Sequence, residues 1–341
     1  LARVMSFYSF NQTLVFMATT GEEQGLLGAR AFADYLTQEN ITVEAVLNND
    51  VIGGVICGQT SSAPSCPGKD LIDSTQVRLF SAGGYNSKNK CLTRFIKLEY
   101  QDELESVVDV PMMVTLMTAE DRTGRGGDHI PFRQDGIPAI RFTSAHEHGN
   151  AGVGPNYHDR QHTSDDILGV DTDNDNVLDS FYVDFNYLAR NAVINGCAAT
   201  AMASGPEQPN YTITPVNGNL EVTVSDPNNY GKYRVGIRTD TWDFDTLITF
   251  TGTSAILTPG LTGNGFVSLM AVDQNNIESL TSKEQILFNI SIEEEEMAGS
   301  EFVLLQNKPN PFDESTVIGF YAPETSAKKA EIKITNLNGK L

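Results

Sequence analysis

The sequence predicts an α/β domain with a mostly parallel core sheet flanked by helices, then a small all-β sandwich, then a partial β domain. Three observations lead there. In residues 1–203, short apolar runs that suit strands buried on both faces alternate with stretches whose apolar residues recur at helical spacing. From Thr212 the texture changes to alternation of apolar and polar residues between turn signals, which fits a small antiparallel sandwich over 210–292. Beyond the acidic stretch Glu293–Glu296, residues 302–341 form a separate β-rich segment.

Taken in order, Leu1 to Tyr8 reads as the end of a helix. Leu14–Ala18 is a continuous apolar run, expected as a buried strand, and it meets Thr19, Thr20 and Gly21 before the acids Glu22 and Glu23. Leu26, Ala29, Ala33 and Leu36 give a helix over 25–36. Val43–Leu47 is the next strand, with Asp50 just past its end. Ser61–Gly68, rich in Ser, Pro and Cys, is a loop. Val77–Phe80 and Met112–Met117 are further strands, and Ile96–Val107 has helical character between them. Thr118–Asp128 is charged, glycine-rich and aperiodic, so it is a rim loop. Ile137–Phe142 is a last short strand, and Phe185, Leu188, Ala189, Ala192, Val193 and Cys197 form an amphipathic stripe. Ala203–Pro209 breaks the pattern as a linker. In the sandwich, Leu220/Val222/Val224 and Tyr233/Val235/Ile237 alternate with polar residues, with more strands at 246–250, 266–272 and 286–290. Trp242 is read as a core aromatic.

Ligands of open α/β sheets bind outside the carboxyl ends of the strands. Two successive strands deliver Glu22, Glu23 and Asp50 to that rim. Adjacent side chains diverge, so one of the Glu pair can hold a metal while its neighbour handles a proton. The competing reading is a solvated acid pair at a helix start, where the dipole favours it. The histidines His129, His146, His148, His158 and His162 are gathered in one stretch, a pattern of metal or proton-transfer chemistry. Asp165 and Asp166, three and four residues after His162, are the local candidates for the ring N–H of a ligating histidine. Asp171, Asp173, Asp175 and Asp179 follow part of a calcium-loop spacing, although Asn176 stands at the glycine position and Tyr182 at the glutamate position. A solvated acidic loop is the alternative there.

The balance of 23 basic and 44 acidic residues gives a net charge of -21, which argues against a nucleic-acid partner. No apolar run reaches transmembrane length. Four cysteines allow three pairings, of which Cys57–Cys66 is one for an oxidising compartment.

The stretches TTGEEQGLLGARAF, LNNDVIGG, GGDHIPFRQDGIPAIRFT and HTSDD together resemble the co-catalytic zinc aminopeptidase family, whose fold also serves some carboxypeptidases and glutaminyl cyclases. The likeness covers residues 1–203. It implies Glu22 as general base, Glu23, Asp50 and His162 as zinc ligands, Asp166 as the carboxylate beside His162, and two zinc ions per complete site. Asp128 and His129 match a family Asp-His motif near the site. The resemblance also implies a histidine and a metal-bridging aspartate upstream of the Glu pair. No residue before Glu22 is His or Asp, so the expectation is an N-terminally incomplete peptidase domain, inactive alone.

Residues 210–292 resemble a fibronectin type III-like module. FVLLQNKPNPFDESTVIGFYAP and AEIKITNLNGKL are similar to part of the C-terminal sorting domain of the type IX secretion system. The functional expectation is a secreted zinc aminopeptidase on the outer surface of, or released from, a Gram-negative bacterium. It would act on peptides with a free N-terminus and use the type IX machinery as a partner. A glutaminyl cyclase on the same fold, or a non-catalytic surface-binding protein with a degenerate peptidase domain, are the alternatives.

Overall fold

The computed structural model describes residues 1–55, 72–84, 86–121, 125–145, 164, 166–216, 218–239, 243–259 and 265–287, together with 303–304, 318, 320–321 and 333. Trp242, the Cys57–Cys66 pair, His146, His148, His158, His162 and the acidic linker lie outside the described residues.

The first unit is a layered α/β arrangement. Its sheet holds β1 (Val46–Asn49), β2 (Gln76–Ser81), β3 (Met113–Leu116) and β4 (Ala139–Ser144) in the order β1-β4-β2-β3. β1 runs parallel to β4 and β3 parallel to β2, while β2 and β4 are antiparallel. The two central strands, β2 and β4, are buried at every position. That requires cover on both faces. One face carries α3 (Lys88–Glu103) and α5 (Phe185–Ser204), with Leu92, Ile96, Tyr187 and Ile194 packed against Val77, Leu79, Ile140 and Phe142. The other carries α2 (Leu27–Gln38) and α4 (His129–Gln134), with Ala29, Ala33, Leu36 and Phe132 around Ala139. A short α1 (Ala2–Met5) precedes them. Asn49 on β1 and Asn195 on α5 exchange two amide hydrogen bonds of 3.0 Å, which ties the sheet edge to that helix.

Two expectations are corrected here. Leu14–Ala18 is extended but forms no ladder among the described residues, and Val15, Phe16 and Met17 are 68%, 50% and 43% exposed. An extended run becomes a strand only where a neighbour takes its amides and carbonyls. No described strand occupies that place. The helix expected at 96–107 begins at Lys88 and ends at Glu103. Its start is set by Ser87, whose hydroxyl accepts from Lys90 N at 3.2 Å, a cap hidden within a polar stretch.

The second unit is two facing sheets. One has β10 (Thr246–Thr251), β9 (Lys232–Arg238), β12 (Gly265–Ala271) and β13 (Gln285–Leu287) in that order; the other has β11 (Ser254–Leu257), β8 (Asn219–Ser225) and β7 (Asn210–Val216). β8 alternates buried and exposed side chains along its length. Leu220, Val222 and Val224 meet Tyr233, Val235, Ile237, Val267 and Leu269 in the core. β5 (Gly169–Val170) and β6 (Ser180–Phe181) form a small ribbon, and β14 (Val303–Leu304) pairs with β15 (Phe320–Tyr321).

The sandwich is docked on α3. Leu280 packs into the first core. Lys97 pairs with Asp243 at 2.7 Å, and Arg234 reaches Asp102 at 2.5 Å and Glu278 at 3.0 Å. Glu99 faces the same junction, only 8% exposed. Burial, then the charges of Glu278, Glu103 and Asp102, push its carboxyl up to about 8, against the pull of Arg234. Below its ordinary value near 4.5, Glu99 is protonated whether the chain is folded or not. As pH rises from there to about 8, the unfolded chain releases a proton that the folded one keeps, so stability falls across that window. Glu99→Gln should therefore melt above the parent at pH 8 to 9, with the gap closing toward pH 5. Thermal denaturation across that range reads it out. A gap independent of pH would remove the proton from the account.

Candidate active site

The site is built at the ends of β1 and β4 and in the turn leading into α2. That turn is closed by Gly25 N and Leu26 N, which donate to Glu22 O at 3.0 and 2.8 Å. Gly28 N donates to Thr20 O at 2.9 Å. A Cβ on Gly28 would lie 2.7 Å from Thr20 O, so only glycine lets the helix come this close to the acid turn. Glu22 is half-buried there and Glu23 is exposed.

Asp50 follows β1, and its backbone N donates to Phe142 O on β4 at 3.0 Å. Its backbone oxygen accepts from Arg141 Nε and from Thr143 Oγ1, the latter at 2.8 Å. Arg141 Nη2 lies 3.4 Å from Asp50 Oδ2. The same guanidinium pairs through Nη1 with Asp121 and donates to Gly126 O at 3.1 Å. Asp128, 8% exposed, accepts from Thr19 Oγ1 through Oδ2. Gly127 is wedged between these groups: a Cβ there would lie 2.7 Å from Asp50 Oδ2, 3.2 Å from Asn48 Nδ2 and 3.4 Å from His129 Nδ1.

Electrostatically this is an acid cluster with too little positive charge. Burial first, then Asp50, Glu23 and Asp128, raise the Glu22 carboxyl to about 7, and Arg141 opposes them. His129 is fully buried. Desolvation leads its causes, and its ring is held down at about 4 despite nearby Asp121, so it stays neutral at working pH. Its Nε2 lies 3.3 Å from Glu120 O; among the described residues, buried Asn48 Nδ2, Asp128 Oδ1 and His129 Nδ1 have no hydrogen-bond partner.

Of the expected residues, the structure brings together Glu22, Glu23, Asp50 and Asp128. His162 lies outside the described residues, and Asp166 is exposed ahead of β5. The donor set fits a zinc ion by charge. Burial and then the neighbouring carboxylates lift Glu22, a cation would answer the second of these, and carboxylate oxygens are within zinc's range. In the loop between β5 and β6, carboxylate oxygens of Asp171, Asp173 and Asp179 lie within 4.8 Å of one another, without Asp175. Asp171 accepts from Asn174 N and Asn176 N at 2.7 and 2.8 Å, and the Thr172 hydroxyl and amide hold Asp179 below the usual carboxylate range. Those amides account for the loop's shape, and its hard oxygens fit calcium chemically.

Arg141, Asp121, Thr19 and Asn48 were not singled out by sequence. The available signal was Arg141 itself, a charge in the middle of the apolar run AIRF.

An α/β sheet that gathers carboxylates at its strand ends, with a half-buried acid lifted toward neutrality, defines a candidate functional site. The sequence model of Peptidase family M28 matches residues 1–61. The chain is similar to three fungal proteins each described as a probable zinc metalloprotease. The one from Pyrenophora tritici-repentis is 29% identical over 69% of this chain and 50% of that one. For Pyricularia oryzae the values are 32%, 61% and 40%, and for Leptosphaeria maculans 31%, 71% and 55%. The chain thus spans about half the length of these relatives. The family match lies in the N-terminal 61 residues, and the description as zinc metalloproteases is that of the relatives. No described helix is long and apolar enough to cross a membrane.

Proposed function

We propose that this protein is a secreted, zinc-dependent exopeptidase, and specifically an aminopeptidase acting on peptides with a free N-terminus. The observation that carries the reading is the convergence of Glu22 with Glu23, Asp50 and Asp128; burial first, and these charges next, raise the Glu22 carboxyl to about 7. Glu23, Asp50 and His162 would hold zinc, with Asp166 beside His162; the resemblance implies two ions per complete site. Bound zinc supplies Lewis acidity that polarises a peptide carbonyl and acidifies water. Glu22 takes the proton from the attacking water and delivers it to the leaving amine. A complete two-zinc site would also hold the substrate's free amine near one metal, which restricts cleavage to the chain end.

The calcium loop at Asp171–Asp179 is part of the proposal, supported by three converging carboxylates. The sandwich is read as fibronectin type III-like, supported by its four- and three-stranded sheets. Secretion to the outer surface through type IX machinery rests on the LLQNKPNPF resemblance at the C-terminal segment.

The test is release of aminoacyl-anilides with zinc added and then chelated, beside metal analysis of Asp50→Ala and His162→Ala. Both variants should lose zinc occupancy as well as rate, because the group that holds the ion is gone. Unchanged stoichiometry in both would remove them as ligands. Zinc binding with cyclisation of N-terminal glutamine and no residue release would move the reading to a cyclase.

A further inference from the structure

Arg141 lies inside β4, in a run otherwise apolar, and its side chain is 1% exposed. A buried guanidinium is costly unless its donors are used. Here they converge on one neighbourhood. Nε serves the Asp50 backbone carbonyl, Nη2 faces Asp50 Oδ2 at 3.4 Å, and Nη1 serves Asp121 and Gly126 O. Thr143, two residues on and therefore on the same face of β4, adds its hydroxyl to the Asp50 carbonyl at 2.8 Å. From the other side the Gly127 backbone closes in, leaving no room for a Cβ beside Asp50 Oδ2. Asp50 is thus held by its main chain and by one carboxylate oxygen. The same guanidinium anchors the rim loop that carries Asp121 and Gly126.

We propose that Arg141 is a positioning residue that locks Asp50, Asp121 and the Gly126 carbonyl into one unit, so that the Asp50 carboxylate meets its cation in a single orientation. This rests on the reading of Asp50 as a metal ligand. The planar fork of arginine can serve a carbonyl and two carboxylates at fixed angles, whereas the ammonium of lysine is a point charge that cannot. A role confined to neutralising Asp121 would not need Nε on the Asp50 carbonyl.

The experiment compares the parent with Arg141→Lys and with the double variant Arg141→Met/Asp121→Asn, which strands no carboxylate at 121. Zinc affinity is measured by competition with a chromophoric chelator, the ligand field by the visible spectrum of the cobalt-substituted protein, and kcat and KM on an aminoacyl-anilide. The double variant should bind zinc about 10- to 100-fold more weakly, the usual cost of losing a group that orients a ligand. Its cobalt band should shift, and kcat should fall more than KM rises. Arg141→Lys keeps the charge and should not recover affinity. Full recovery by lysine, or parent-like affinity and spectrum in the folded double variant, overturns the proposal. If the double variant does not fold, Thr143→Val removes only the hydroxyl on Asp50. It should weaken zinc by about 2- to 10-fold, the range of one hydrogen bond; parent-like affinity there overturns the proposal equally. Asp50→Ala separates the two levels. If it binds zinc like the parent, the ligand reading fails; if it loses zinc while the double variant keeps it, only the positioning role fails.

Discussion

Glu22→Gln lowers turnover by about two to four orders of magnitude while zinc content stays near that of the parent. The substitution keeps size and polarity and removes only the ability to accept a proton. Glu22 is the residue for which this matters, because its carboxyl is the one lifted to about 7 in the acid cluster. A base poised there can take a proton from water and return it to an amine within one turnover. A nearby cation would pull the value down, which further favours the ionised, accepting form. The measurement pairs steady-state rates on an aminoacyl-anilide with metal analysis. Parent-like turnover removes Glu22 from proton transfer. A fall in rate with an equal fall in zinc makes it a metal-holding group instead.

The acid half of the site was legible because carboxylates at strand ends are a local pattern. Glu22, Glu23 and Asp50 each follow an apolar run, and chain order alone directs them to one rim. The basic half was not legible. Arg141 and Asp121 are twenty residues apart, and their pairing is a tertiary contact. Asp128 was visible as a motif, but its hydroxyl donor, Thr19, comes from a segment 109 residues away. Such partners are set by tertiary placement, for which periodicity carries no signal.

The fold shows the same division. The helical stripe of Ala29, Ala33 and Leu36 and the alternation at Leu220–Val224 survive because burial on one face is written into spacing, whereas Leu26 stands before the helix in a left-handed conformation. Leu14–Ala18 differs: five apolar residues report that burial is favourable, not which neighbour supplies it. β7 and β11 were missed, since Asn210–Val216 carries a proline and Ser254–Leu257 is only four residues long. The docking of sandwich on helix was also hidden. Arg94, Arg238 and Glu284 look like ordinary surface charges in sequence, yet all three are buried between the units.

That buried triad gives the largest expected effect on stability. Arg238 holds Glu284 in a two-pronged pair, Nε to Oε1 at 2.8 Å and Nη2 to Oε2 at 2.6 Å, and Arg94 reaches Oε1 at 3.2 Å. The Glu284 carboxylate is fully shielded from solvent, and Arg238 also lies over the Phe266 ring at 4.1 Å. Burial pulls the Arg94 guanidinium down, and Glu284 is the charge that opposes this while Arg238 adds to it. Glu284→Gln therefore leaves two buried cations facing each other with no anion between them. Removing one partner of a buried pair costs about 3–5 kcal/mol. At about 2–4 °C per kcal/mol for units of this size, the melting temperature should fall on the order of 10 °C. Replacing all three, as Glu284→Leu with Arg94→Met and Arg238→Met, should recover most of the loss, since apolar side chains of similar volume often match a buried ion pair in stability. Calorimetry of the single and triple variants decides it. A single variant that melts with the parent contradicts the buried-charge account, and a triple variant no better than the single places the loss in packing rather than in charge.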